Sequence, residues 1–179
     1  PTDVSVAPDG SLIVSDWYDP SVGGHQIGDQ GRGRLYRIAP PNSPYVIPSF
    51  DFTTPENALS SLENPNLATR YLAWQALRNM GGNAEEALAK VFLDQDVDPR
   101  LRARCLWILG NLEQGKDKYF ELGLKDSNPD LRITAIRLIE QKGEEISMRY
   151  LPQMVNDPDI QVRRETALAL RHISSAKAD

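Results

Sequence analysis

The side chains with the widest chemical range sit in one stretch, Asp16–Arg34, which reads DWYDPSVGGHQIGDQGRGR. Asp16, Asp19 and Asp29 offer hard carboxylate oxygens of the kind that bind calcium. His25 offers an imidazole, the side chain best suited to act as a general base or to orient a substrate. Trp17, Tyr18, Arg32 and Arg34 are candidates for contact with a substrate or a partner. The same stretch has a purely structural reading. Gly23, Gly24, Gly28, Gly31 and Gly33 permit tight turns, and the aspartates cap them. The structural reading comes first, and metal or substrate contact is the alternative. No serine–histidine–acid set, phosphate loop or dinucleotide fingerprint occurs elsewhere.

Loops act only where something rigid holds their ends. Upstream, Asp3–Ala7 alternates weakly and runs into Pro8-Asp9-Gly10, a turn in which proline presets φ and glycine takes the positive φ. Leu12–Ser15 resumes as a strand. Downstream, Arg34–Ile38 is a third strand, with Arg34, Tyr36 and Ile38 on one face and Leu35 on the other. Three short antiparallel strands alone are marginal in water. The opening PTDVSVAPDG reads as the middle of a strand-rich domain, so the chain is expected to be a piece of something longer.

Composition changes along the chain. Eight of the 13 prolines lie in residues 1–60, which contain no lysine and carry seven acidic side chains against three arginines. The remaining residues are near balance, with 17 basic and 18 acidic side chains. That shift marks a boundary: a β segment over 1–40, a proline-rich linker over 41–53, and a helical region over 54–179. The net charge of −5 argues against nucleic-acid binding. No apolar run reaches the length of a membrane span. Cys105 is the single cysteine and forms no internal disulfide.

The helical region repeats. NPNLATRYLAWQAL (64–77), DVDPRLRARCLWIL (96–109), DSNPDLRITAIRLI (126–139) and DPDIQVRRETALAL (157–170) align without gaps. The first position, Asn64, Asp96, Asp126 or Asp157, suits a helix N-cap or an Asx turn. The seventh is always arginine: Arg70, Arg102, Arg132, Arg163. The tenth is small (Ala73, Cys105, Ala135, Thr166) and the fourteenth a large aliphatic (Leu77, Leu109, Ile139, Leu170). Second helices are expected over Ala84–Leu93, with Asn83 and Glu86 as a capping box, over Asp117–Leu124 and over Glu144–Val155. Thr54-Pro55 starts a short helix through Leu62. Copies near 64–93, 96–124, 126–155 and 157–173 cannot bury their apolar stripes singly, so stacking into an α-solenoid is expected. The expected fold is mainly α, preceded by a small antiparallel β segment. Trp74 and Trp107 are expected in the core, as is Cys105. Arg100, Arg102 and Arg104 read as a solvated surface, and His172 as a residue of the last helical turn.

The repeat pattern resembles the short HEAT-like repeats of bacterial proteins. That resemblance implies a structural ladder between repeats made by Asp96, Asp126 and Asp157 with Arg70, Arg102, Arg132 and Arg163. An anion-binding stripe of arginines is the alternative. PTDVSVAPDGSLIVSDW, DPSVGGH and RGRLYRIAP further resemble the closing blade of a glucose/sorbosone-dehydrogenase-like β-propeller. With the repeats behind it, the order is similar to the bacterial membrane-bound dehydrogenase or haem-binding family, in which a propeller precedes HEAT repeats and a cytochrome c domain. The resemblance implies a periplasmic or envelope location. It also implies pyrroloquinoline quinone or calcium in the propeller, and haem c in a domain these residues lack, because no CxxCH occurs here.

Two functions follow as expectations. The first is a non-catalytic interaction or spacer module of a larger exported oxidoreductase, whose parent is a quinone-dependent dehydrogenase while this piece has no turnover of its own. The second is a free-standing protein-binding scaffold with no redox role. In both the partner is protein, either a neighbouring domain or another chain.

Overall fold

The computed structural model describes residues 3–17, 31–113, 116–171 and 173. Three strands, β1 (Asp3–Val6), β2 (Leu12–Asp16) and β3 (Arg34–Ile38), form one antiparallel sheet in the order β1-β2-β3. The turn between β1 and β2 forms as its residues demand. Gly10 has φ 84°, its N–H donates to the Ala7 carbonyl at 2.9 Å, and Asp9 accepts from the Ser11 N–H at 3.0 Å. The register pairs Val4 with Val14 and Val14 with Tyr36, and Val6 with Leu12 and Leu12 with Ile38. One face is therefore apolar, and of these six Val4, Val6, Leu12, Tyr36 and Ile38 stay exposed.

Among the described residues eight helices follow: α1 (Pro55–Ser61), α2 (Leu67–Met80), α3 (Glu85–Leu93), α4 (Pro99–Leu109), α5 (Lys116–Leu124), α6 (Pro129–Glu140), α7 (Glu144–Tyr150) and α8 (Ile160–Leu170). Thr54 caps α1 and Pro55 takes its first position, where the missing N–H is no loss. The hydrophobic cluster runs from Ala58 to Ala169 and takes nothing from the sheet. Ala73, Cys105, Ala135 and Thr166 are fully buried, as are Leu77, Leu109 and Ile139, so both residue columns of the repeat point inward. Helix α4 packs on α3 and α6, and α6 packs on α5 and α8. Trp74 and Trp107 lie at the edge of the cluster and are only half-buried.

Of the two roles expected for the first repeat residue, N-cap or Asx turn, the structure shows the Asx turn in three copies, and two other local details differ from the sequence expectation. The helix N-caps are the third residues of the repeats: Asn66, Asp98, Asn128 and Asp159 each accept an N–H two residues on, at 2.7–2.9 Å. In three of the copies the first residue makes the Asx turn that precedes the cap. Asn64, Asp126 and Asp157 accept the N–H of residues 66, 128 and 159 at 2.8–2.9 Å. Asn83 and Glu86 form no capping box. A 3₁₀ turn, Gly81–Ala84, runs straight into α3, whose N-cap Ala84 already has helical angles, so no extended residue stands where a cap is needed. Lastly, Glu144–Val155 is broken after Tyr150, because Pro152 cannot continue the hydrogen-bonding ladder and a 3₁₀ turn replaces it.

Candidate functional site

The repeated arginine is positioned by the turn that starts its own repeat. Its place on the first turn of α2, α4, α6 or α8 aims the side chain back over the N-cap. Arg132 shows the full arrangement. Its Nη1 donates to the Asp126 and Ser127 carbonyls at 2.9 and 3.2 Å. Its Nε and Nη2 grip the Asp157 carboxylate of the next repeat at 2.9 and 2.8 Å. This side-on, two-bond geometry is the strongest form of arginine–carboxylate pair. Arg70 and Arg163 repeat the carbonyl anchoring. Arg70 Nη1 donates to Asn64 and Pro65 at 2.7 and 2.8 Å, and Arg163 Nη1 to Asp157 and Pro158 at 2.7 and 3.0 Å.

Arg102 departs from the pattern. Its Nε donates to the Phe92 carbonyl at 2.8 Å, while Nη1 and Nη2 hold Asp126. The side chain is 2% exposed and lies over the Phe92 ring. The solvated cluster expected at Arg100–Arg104 is thus wrong for Arg102, because its spacing puts it against α3 and the next repeat. It does not hold for Arg104 either, which is half-buried with Nη1 donating to the Leu62 carbonyl at 2.5 Å.

Asp96 makes no rung. It is exposed and Arg70 does not reach it; among the described residues Arg70 makes only its two carbonyl bonds. The physical cause is the longer connection in the second copy, where Asp94 forms the Asx turn by accepting the Asp96 N–H at 3.0 Å. The carboxylate that register assigns to Arg70 is carried off with that turn.

Electrostatics follow the geometry. Burial pushes the Asp157 carboxyl up. Hydrogen bonds from Arg132 and the Asp159 N–H, with the charges of Arg132 and Arg163, outweigh it and leave the carboxyl below its ordinary value. Glu165 is also lowered, first by its hydrogen bond from Arg137. A depressed folded-state pKa stabilises above the unfolded value, about 3.9 for aspartate and 4.3 for glutamate, and that stability is lost as pH falls through the folded value. Urea midpoints are therefore expected to fall steeply below about pH 4. The Asp157→Asn protein, less stable at neutral pH, is expected to lose less over that range. Burial pushes the Cys105 thiol up to about 12, which suits a packing residue and not a nucleophile.

The glycine-rich loop is described only at its ends. Asp16 pairs in register with Arg34 across β2 and β3. Arg34 Nη1 donates to the Gly31 and Gly33 carbonyls at 3.2 and 3.0 Å, folding the guanidinium onto its own loop. Trp17 is 66% exposed, and Arg32 is exposed too. Tyr18, Asp19, His25 and Asp29 lie outside the described residues, as does His172. Among the described residues no three histidine, cysteine or acidic side chains gather as a metal site.

Two junctions escaped sequence reasoning. Arg37 donates to Ser11 Oγ at 3.0 Å, to the Ser43 carbonyl at 2.8 Å and to Asp9 at 2.7 Å, and its guanidinium faces the Tyr45 ring. It ties the β1–β2 turn to the linker, and hydrogen bonds from Ser11 and Arg37 lower the Asp9 carboxyl to about 2. Asn66, besides capping α2, donates to the Ala7 carbonyl at 2.8 Å, which joins sheet to helices. Neither contact has a local sequence signal, because the partners are far apart in the chain.

A family model for HEAT repeats matches residues 117–179, from α5 onward. No curated protein matches the chain significantly.

Proposed function

We propose that the chain is a protein-interaction module whose helical repeats stack as a short α-solenoid. The observation that carries this is the HEAT-repeat match over residues 117–179. The same turn, cap and arginine anchoring at residues 64–70 extends the repeat upstream of that match. Repeats of this kind expose one helix surface after another to a partner while their cores face each other. Exposed Tyr71 and Leu72 on α2, Leu122 on α5 and Ile160 and Leu168 on α8 supply apolar contact points. The test is affinity capture with cross-linking, followed by calorimetry on the purified partner. Saturable binding with cross-links on the repeat helices is expected. A partner that cross-links only to residues 3–17 or 31–47 contradicts the proposal.

A finer reading makes the chain a non-catalytic part of a larger exported oxidoreductase, periplasmic or envelope-bound. The resemblance of residues 1–40 to a propeller blade supports it, and so does the apolar sheet face left open by Val4, Val6, Leu12, Tyr36 and Ile38. A free-standing scaffold calls for a closed core in that segment. Quinone, calcium and haem chemistry belong, in this reading, to the parent. Turnover by the chain alone with pyrroloquinoline quinone, calcium and an electron-accepting dye contradicts it.

A further inference from the structure

We infer that the open edge of Arg70 is a binding site for a carboxylate supplied by an acidic segment of a protein partner. The inference rests on the protein-binding reading only for the source of the carboxylate; the site itself stands on the arginine column. In Arg132 the carbonyl anchors hold Nη1, which leaves Nε and Nη2 aligned to take both oxygens of Asp157 at 2.9 and 2.8 Å. Arg70 has the same anchors, at 2.7 and 2.8 Å. Its Nε and Nη2 have no hydrogen-bond partner among the described residues, because Asp96, the residue in register, stands exposed in a turn built by Asp94. The guanidinium is thus fixed before any ligand arrives, and pre-organisation of this kind lowers the entropic cost of binding.

Charges of both signs lie near the site, and Arg104 is half-buried beside them with its Nη1 donating to the Leu62 carbonyl at 2.5 Å. Arg70 and Arg100 act on the charge of Arg104. Glu63 and Asp98 also act on Arg104, yet none of the ion pairs among the described residues joins either acid to Arg70 or Arg104. Asp98 is committed to capping α4 through the Arg100 N–H at 2.7 Å. Leu67, one turn before Arg70 on the same face of α2, is exposed. A peptide carboxylate with an apolar neighbour fits that arrangement better than a free inorganic ion, which has nothing to lay against Leu67.

The repeat itself supplies the probe. A blocked peptide copying residues 126–131, DSNPDL, presents the aspartate that a sister arginine already binds. Nitrogen-15 NMR of the arginine Nε–H groups follows its titration into the whole chain. A saturable shift of the Arg70 signal is expected, absent for the same peptide carrying Asp126→Asn. Arg70→Lys keeps the charge but loses the two-bond edge, and at least a tenfold weakening is expected. Arg104→Gln leaves both carbonyl anchors of Arg70 in place and is expected to weaken binding several-fold, which keeps the test valid should Arg70→Lys fold poorly. An unmoved Arg70 signal, equal response to the Asp126→Asn peptide, or inorganic phosphate binding as tightly as the peptide overturns the site. None of these outcomes bears on whether other surfaces of the repeats bind protein.

Discussion

Replacing Arg102 with alanine is expected to destabilise the fold by about 3–5 kcal/mol, because it leaves the Asp126 carboxylate buried without its counter-charge. Both side chains are nearly inaccessible, and Arg102 also satisfies the Phe92 carbonyl at 2.8 Å. Desolvating an ion is costly, so the pair is worth far less than its loss suggests. A second substitution separates the two effects. Arg102→Met with Asp126→Leu removes both charges and keeps apolar volume, and it is expected to recover only part of the loss, because the Phe92 carbonyl and the Asn128 N–H lose their partners. Urea unfolding of the single and double variants measures both. The comparison has a local reference in Arg137–Glu165, whose arginine is more than half exposed. Arg137→Ala is expected to cost no more than about 1 kcal/mol, as exposed pairs do.

The second large effect concerns glycines at helix crossings. A Cβ on Gly110 falls inside the Leu138 side chain, 3.0 Å from its Cγ and 3.1 Å from Phe120 Cε1. Leu138 and Phe120 are fully buried, so neither has room to turn aside. Gly110→Ala is therefore expected to lose about 1–3 kcal/mol by overpacking. Gly123 meets the Ala135 Cβ at 2.8 Å. That atom is fixed by the backbone, so α5 and α6 must separate. The roughly 1 kcal/mol that alanine gains over glycine within a helix offsets part of this cost, so Gly123→Ala is expected to lose less than Gly110→Ala. Gly82 is the contrast, with nothing within 4 Å of its Cβ position. Gly82→Ala is expected to be neutral or stabilising by up to about 1 kcal/mol. Thermal melts of the three variants give the order directly.

What the sequence made legible was whatever repeats or acts locally. The small and large aliphatic columns report burial because the same packing recurs four times. The strands, the Gly10 turn and Pro55 at the first position of α1 follow from local rules. The rest depended on distance or on competition between similar residues. Two Asn/Asp positions open each repeat, and only backbone geometry separates the Asx turn at the first from the N-cap at the third. Asp96 fits the ladder by register, yet Asp94 forms the turn and takes it out of reach. Arg102 sits between Arg100 and Arg104 in the chain, and only the packing of α4 against α3 and α6 shows that it is buried. For the glycine-rich loop, the structure places Asp16, Trp17, Arg32 and Arg34. His25, Asp19 and Asp29 lie outside the described residues, so calcium or general-base chemistry in the loop is an expectation from residue type alone.

Buried arginine–aspartate rungs join successive repeats, Arg102 to Asp126 and Arg132 to Asp157. Hydrogen exchange of the chain against its Arg132→Ala variant tests that coupling. If Arg132 ties its repeat to the next through Asp157, the variant loses protection in both α6 and α8, by similar amounts. Loss confined to α6, with α8 unchanged, contradicts the claim and makes the arginine a local helix-end anchor only.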